Sequence, residues 1–120
     1  MDKLIKKIKL PEIIDQRGSL SFLESNNHIP FNIKSTSIIT NLSFFSKNNK
    51  FIKNKEKEFL VVLSGFLDIR IKHGEFEEVF KLNKPNVGLY IPDMAEKSFV
   101  DFSPNLILLV LCADDLNKEN

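Results

Sequence analysis

The chain has 120 residues and a mass of 13.8 kDa, the size of one ordinary domain that can bury its own core without a metal or disulfide staple. It is 42% hydrophobic and 28% charged, which excludes a disordered tail, and its formal net charge of +1 supplies no global field toward nucleic acid or anionic lipid. One cysteine (Cys112) and two histidines (His28 and His73) exclude an intramolecular disulfide and a thiolate zinc site, and are too few for the usual imidazole-rich metal centre.

The run Met1 to Leu10 is basic but lacks an apolar stretch of the length a secretory signal needs, and nowhere is there an apolar run long enough to span a bilayer. Its apolar residues Leu4, Ile5, Ile8 and Leu10 stop at Pro11, so residues 1–10 are expected to form a terminal strand or arm. A cytoplasmic protein with no membrane partner is expected.

Short β-rich runs follow at roughly ten-residue spacing. Strands are predicted over Leu20 to Glu24, Ile33 to Leu42, Phe59 to Leu63 and Phe66 to Lys72. They continue over Phe76 to Leu82, Val87 to Ile91, Lys97 to Phe102 and Leu106 to Cys112. Turn pairs such as Arg17-Gly18, Ser64-Gly65, His73-Gly74 and Pro92-Asp93 separate them. Phe66 to Lys72 alternates apolar and polar residues as a half-buried strand does, whereas Leu106 to Leu111 is continuously apolar and belongs in mid-core. No segment carries a sustained 3.6-residue apolar period. An all-β single domain, a closed barrel or sandwich with a polar tail at 114–120, is therefore expected. The stretch Ser43 to Lys57 mixes lysines and asparagines with Phe44, Phe45 and Phe51. Such a mixture can bind single-stranded nucleic acid, but Glu56 and Glu58 dilute the charge and no arginine is present, so a solvated loop is the expectation and nucleic acid is not.

Several phrases, in order, resemble one family: Asp15-Gln16-Arg17-Gly18-Ser19-Leu20, Ile29-Pro30-Phe31-Asn32-Ile33-Lys34, Val62-Leu63-Ser64-Gly65, Gly88-Leu89-Tyr90-Ile91-Pro92 and Asp101-Phe102-Ser103. Over roughly residues 10 to 115 the chain resembles the WxcM-like cupins, sugar-nucleotide 3,4-ketoisomerases acting on dTDP-4-keto-6-deoxyglucose in the synthesis of surface-polysaccharide sugars. The resemblance implies a cupin-type jelly-roll barrel, a homodimer with N-terminal strands exchanged, a dTDP-sugar ligand and no metal or other cofactor.

The family's reaction passes a proton between neighbouring carbons through an enediol, for which imidazole is well suited because it accepts and donates near neutral pH. The family run R-G-x-H-A-H-K, counted back from Gly65, falls on Asn48, Asn49, Lys50, Phe51, Ile52, Lys53 and Asn54. Phe51 and Lys53 thus stand where the two histidines are expected. The Trp-His pair falls on Glu96 and Lys97, and an arginine and an aromatic after Ile33-Lys34 become Ser35 and Ser37. Lys53, Lys97, Glu58 and Glu96 are the candidate replacements, with Ser35 and Ser37 in ligand contact. A surface lysine titrates too high to act as a base at pH 7 unless burial or a neighbouring cation lowers it. Solvated surface positions are the ordinary fate of Lys53 and Lys97, and a rim salt bridge that of Glu58. His28 and His73 fall in a loop and a turn, away from the expected base.

Nothing in the sequence builds a serine-nucleophile elbow or a phosphate-cradling glycine loop, and Cys112 reads as a buried, inert thiol. Three functions stay open. One is a catalytically silent nucleotide-sugar binder or partner of a sugar-biosynthesis enzyme. Another is an isomerase or epimerase using Lys53, Glu58 or Lys97. The last is a structural or protein-interaction cupin without a small ligand.

Overall fold

Apolar residues at a period of two leave each strand one face to bury, and two such faces closing on each other account for this molecule. The computed structural model describes residues 5–42 and 50–113. Among them are no helices and eleven strands: β1 (Lys6–Lys9), β2 (Glu12–Asp15), β3 (Gly18–Ser21), β4 (Ile33–Thr40), β5 (Ile52–Lys53), β6 (Glu58–Ser64), β7 (Leu67–His73), β8 (Phe76–Leu82), β9 (Val87–Ile91), β10 (Glu96–Phe102) and β11 (Ile107–Ala113). A five-stranded sheet runs β1-β9-β6-β11-β4, a four-stranded sheet runs β5-β10-β7-β8, and β2 and β3 form a separate hairpin. All of these pairings are antiparallel.

The two larger sheets face each other across one apolar cluster. Leu60 and Val62 of β6, Leu89 and Ile91 of β9 and Leu108 and Val110 of β11 meet Leu67, Ile69 and Ile71 of β7 and Phe80 and Leu82 of β8. Each such side chain withdrawn from water contributes roughly 1.5–3 kcal/mol. The intervening residues of the same strands, Phe59, Val61, Tyr90 and Leu111, pack on the opposite face beneath Leu10, Ile29 and Phe31. This double burial explains why β6 and β11 read as continuous apolar runs, and β11 does lie mid-sheet between β4 and β6.

The all-β expectation holds, with local differences. The strand expected over Leu20 to Glu24 ends at Ser21 and begins at Gly18, because it pairs with the unanticipated β2 in the register Asp15↔Gly18 to Glu12↔Ser21. Part of the expected loop Ser43 to Lys57 is the short strand β5, paired with the start of β10. His73 closes β7 opposite Phe76 instead of sitting in the turn, which falls to Gly74 at φ 64°. Residues 1–4 of the expected arm, residues 43–49 of the basic stretch and the expected tail at 114–120 lie outside the described residues. No helix among the described residues is long and apolar enough to cross a membrane.

Candidate functional site

The inner face of the five-stranded sheet is apolar along most of its length and turns polar at one end. On β6, Leu60 and Val62 point inward, so the alternation puts Glu58 on the same face. The register places Ser35 of β4 opposite Cys112 of β11, Cys112 opposite Glu58, and Glu58 opposite Ile91 of β9. One row, Ser35–Cys112–Glu58, thus crosses three neighbouring strands, with Ser37 one step along β4 opposite Val110. Ser35 and Ser37 are exposed, since β4 is the edge of the sheet.

The opposite wall supplies a charge. Lys97 of β10 pairs across its strand with the fully buried Ile71, so it too points inward. Its Nζ donates to Glu58 Oε1 at 2.5 Å, and the two side chains are only 16% and 13% exposed. The pair joins one sheet to the other. Lys97 is therefore not the solvated surface lysine that its composition suggests, and Glu58 lies deeper than an ordinary rim partner. Ile52, opposite Lys97 in the β5–β10 register, is 62% exposed, so solvent reaches the residue beside the pair.

Cys112 Sγ approaches Glu58 Oε2 at 4.0 Å. Burial pushes the thiol pKa up, the Glu58 carboxylate adds to the rise, and a hydrogen bond with Ser35 and the Lys97 charge partly offset it. The thiol therefore stays protonated at neutral pH, a weak donor rather than a nucleophile.

Lys53 goes elsewhere. It stands opposite Glu96, while its neighbour Ile52 stands opposite Lys97. Side chains alternate across a pleated pair, so Lys53 and Glu96 leave on the face opposite to Lys97, and Lys53 is exposed. Phe51 packs under a cation, with Lys72 Nζ 5.5 Å from its ring centre. The structure thus brings Ser35, Ser37, Glu58 and Lys97 to one interior end and does not bring Lys53 to them. His28 accepts a hydrogen bond from the Glu24 backbone N–H at 2.9 Å through Nδ1 and lies edge-on to Phe22, a local structural role.

Sequence reasoning passed over Cys112 as a neighbour of Glu58, and also Asn54. Asn54 is 3% exposed and neither amide atom of its side chain has a hydrogen-bond partner, although its backbone is clamped by Ala95 and Met94. A signal was present: Lys53, Lys55 and Lys57 are exposed, whereas Asn54, Glu56 and Glu58 between them are not. Among the described residues no three His, Cys, Asp or Glu side chains gather as a metal site.

Comparison with known proteins shows the family. The family model described as FdtA, WxcM-like, C-terminal, matches residues 3–120. The chain is 32% identical over 109 residues to the TDP-4-oxo-6-deoxy-alpha-D-glucose-3,4-oxoisomerase of Aneurinibacillus thermoaerophilus, covering 91% of this chain and 78% of that one. It is similar to the WlaRB TDP-quinovose 3,4-ketoisomerase of Campylobacter jejuni, with a TM-score of 0.82 at 32% identity, covering 98% of this chain and 91% of that one. A variant of the 3,4-ketoisomerase QdtA from Thermoanaerobacterium thermosaccharolyticum, solved with TDP-4-keto-6-deoxyglucose, superimposes with a TM-score of 0.83 at 31% identity, covering 100% of this chain and 87% of that one.

Proposed function

The chain belongs to the WxcM-like, C-terminal family, and from that premise we propose that it is a dTDP-sugar-binding cupin in which the family's histidine-driven 3,4-isomerisation has been lost. One observation carries this reading. The interior end of the barrel has a polar wall of Ser35, Ser37, Cys112, Glu58 and Lys97, while the two positions onto which the family resemblance places histidines hold Phe51 and Lys53, the latter directed to the opposite face. Hydroxyls and a charged pair suit a sugar ring, whose many donors and acceptors need fixed partners. Neither of those two positions carries an imidazole to shuttle a proton at neutral pH.

In this reading the protein acts in the cytoplasm as a homodimer, alongside enzymes that make deoxyamino sugars for surface polysaccharides, either holding the nucleotide sugar or partnering one of them. Calorimetric titration with dTDP and then dTDP-glucose tests it. Saturable binding in the micromolar range is expected, together with no conversion of dTDP-4-keto-6-deoxyglucose to its 3-keto isomer at family rates. No heat at millimolar ligand would overturn the binding role and leave a scaffold that meets protein alone.

A further inference from the structure

Moving a proton at a carbon next to a ketone requires two things: a base to take it, and positive charge where the carbonyl oxygen becomes an enolate. Glu58 and Lys97 supply one of each, from opposite walls of the barrel. At 13% and 16% exposure the pair is dry enough for its charges to act strongly, yet it is not sealed, since Ser35, Ser37 and Ile52 beside it are exposed. Behind Glu58, the protonated Cys112 thiol faces the second carboxylate oxygen without adding a competing anion.

We propose that Glu58 is a general base and Lys97 its electrophilic partner for proton exchange at the carbon beside the ketone of a bound dTDP-4-keto sugar; this rests on the binding role proposed above. In the forward half-step the Glu58 carboxylate takes the proton from C3. The C–H electron pair becomes the C3=C4 double bond, and the carbonyl π pair moves onto the C4 oxygen, where the Lys97 ammonium holds the negative charge. Glu58 exchanges its proton with solvent and the reverse step returns one to C3, so the ketone is regenerated and nothing is oxidised or reduced.

The test incubates the whole chain with dTDP-4-keto-6-deoxyglucose in D₂O and follows the sugar protons by NMR, which separates C3 from C5. The C3 proton is expected to be replaced by deuterium at a rate proportional to protein. Glu58→Gln should slow this by about 100-fold or more while its circular dichroism shows the fold kept, and Glu58→Asp should restore part of it. Where Glu58→Gln does not fold, the double variant Glu58→Gln/Lys97→Met, which strands no charge, takes its place. Binding of dTDP without C3 exchange above the protein-free rate would overturn this inference alone. Undiminished exchange in the folded variants would also overturn it. Absence of dTDP binding would overturn the binding role, and this inference with it.

Discussion

A lysine ammonium carried alone into an apolar barrel loses its hydration and gains nothing in return, so Lys97 is tolerable only because Glu58 meets it at 2.5 Å. The attraction and the desolvation nearly cancel, which makes the pair weak as net stabilisation but expensive to halve. Removing one partner of a fully buried pair costs roughly 3–5 kcal/mol. Both side chains here keep some contact with water, so Lys97→Met alone is expected to cost about 2–3 kcal/mol. The double replacement Glu58→Leu/Lys97→Met should lie within about 1 kcal/mol of the wild type, since it leaves no charge stranded. Urea denaturation with unchanged m-values measures both. A double variant as unstable as the single one would show that Glu58 is held by groups other than Lys97.

At the scale of elements, the strands were largely legible and their faces were not. Phe66 to Lys72 alternates visibly, and β8 and β9 occur at the bounds expected from their turn residues. The distinction that matters for function, Lys97 inside and Lys53 outside, depends on the pairing Lys53↔Glu96 between a two-residue strand and a distant one. No local pattern encodes that partner. The row Ser35–Cys112–Glu58 is hidden for a similar reason, because it needs β11 to lie between β4 and β6, strands that come before it in the chain. Turn chemistry, by contrast, is written locally. Gly65, between β6 and β7, has φ 79°, a left-handed conformation that favours glycine. A methyl group there would also run into Ser103 Oγ and Asn105 Oδ1, and Ser103 Oγ already accepts the Phe66 backbone N–H at 2.9 Å. Gly65→Ala is therefore expected to lose about 2–3 kcal/mol from backbone strain and the displaced hydrogen bond together. Thermal unfolding should report a midpoint several degrees lower, and an unchanged midpoint would mean that the turn relaxes freely.

At the scale of the whole molecule, the β2–β3 hairpin is the part that does not yet belong to a core. Neither larger sheet pairs with it, and a two-stranded hairpin alone in water is at best marginally stable. Its register puts Ile13 and Leu20 on one face and Ile14 on the other, and these residues are 54%, 58% and 71% exposed. Among the described residues no strand lies beyond β4 at the end of the five-stranded sheet, and its Ile38 is 63% exposed. An exposed hairpin and an open, apolar sheet edge on one chain are complementary in type, and strand exchange between two copies would satisfy both. The homodimer implied by the family resemblance thus has a physical motive here. The wild-type chain is expected to sediment at twice its 13.8 kDa mass. Ile13→Lys/Ile14→Lys should raise the dimer dissociation constant by about 100-fold or more, since each buried isoleucine contributes roughly 1.5–3 kcal/mol. The barrel should keep its circular dichroism in that variant, because neither side chain enters either apolar cluster. A wild-type chain that sediments as a monomer throughout the micromolar range would sink this assembly, and would require the hairpin to find its cover on a different protein.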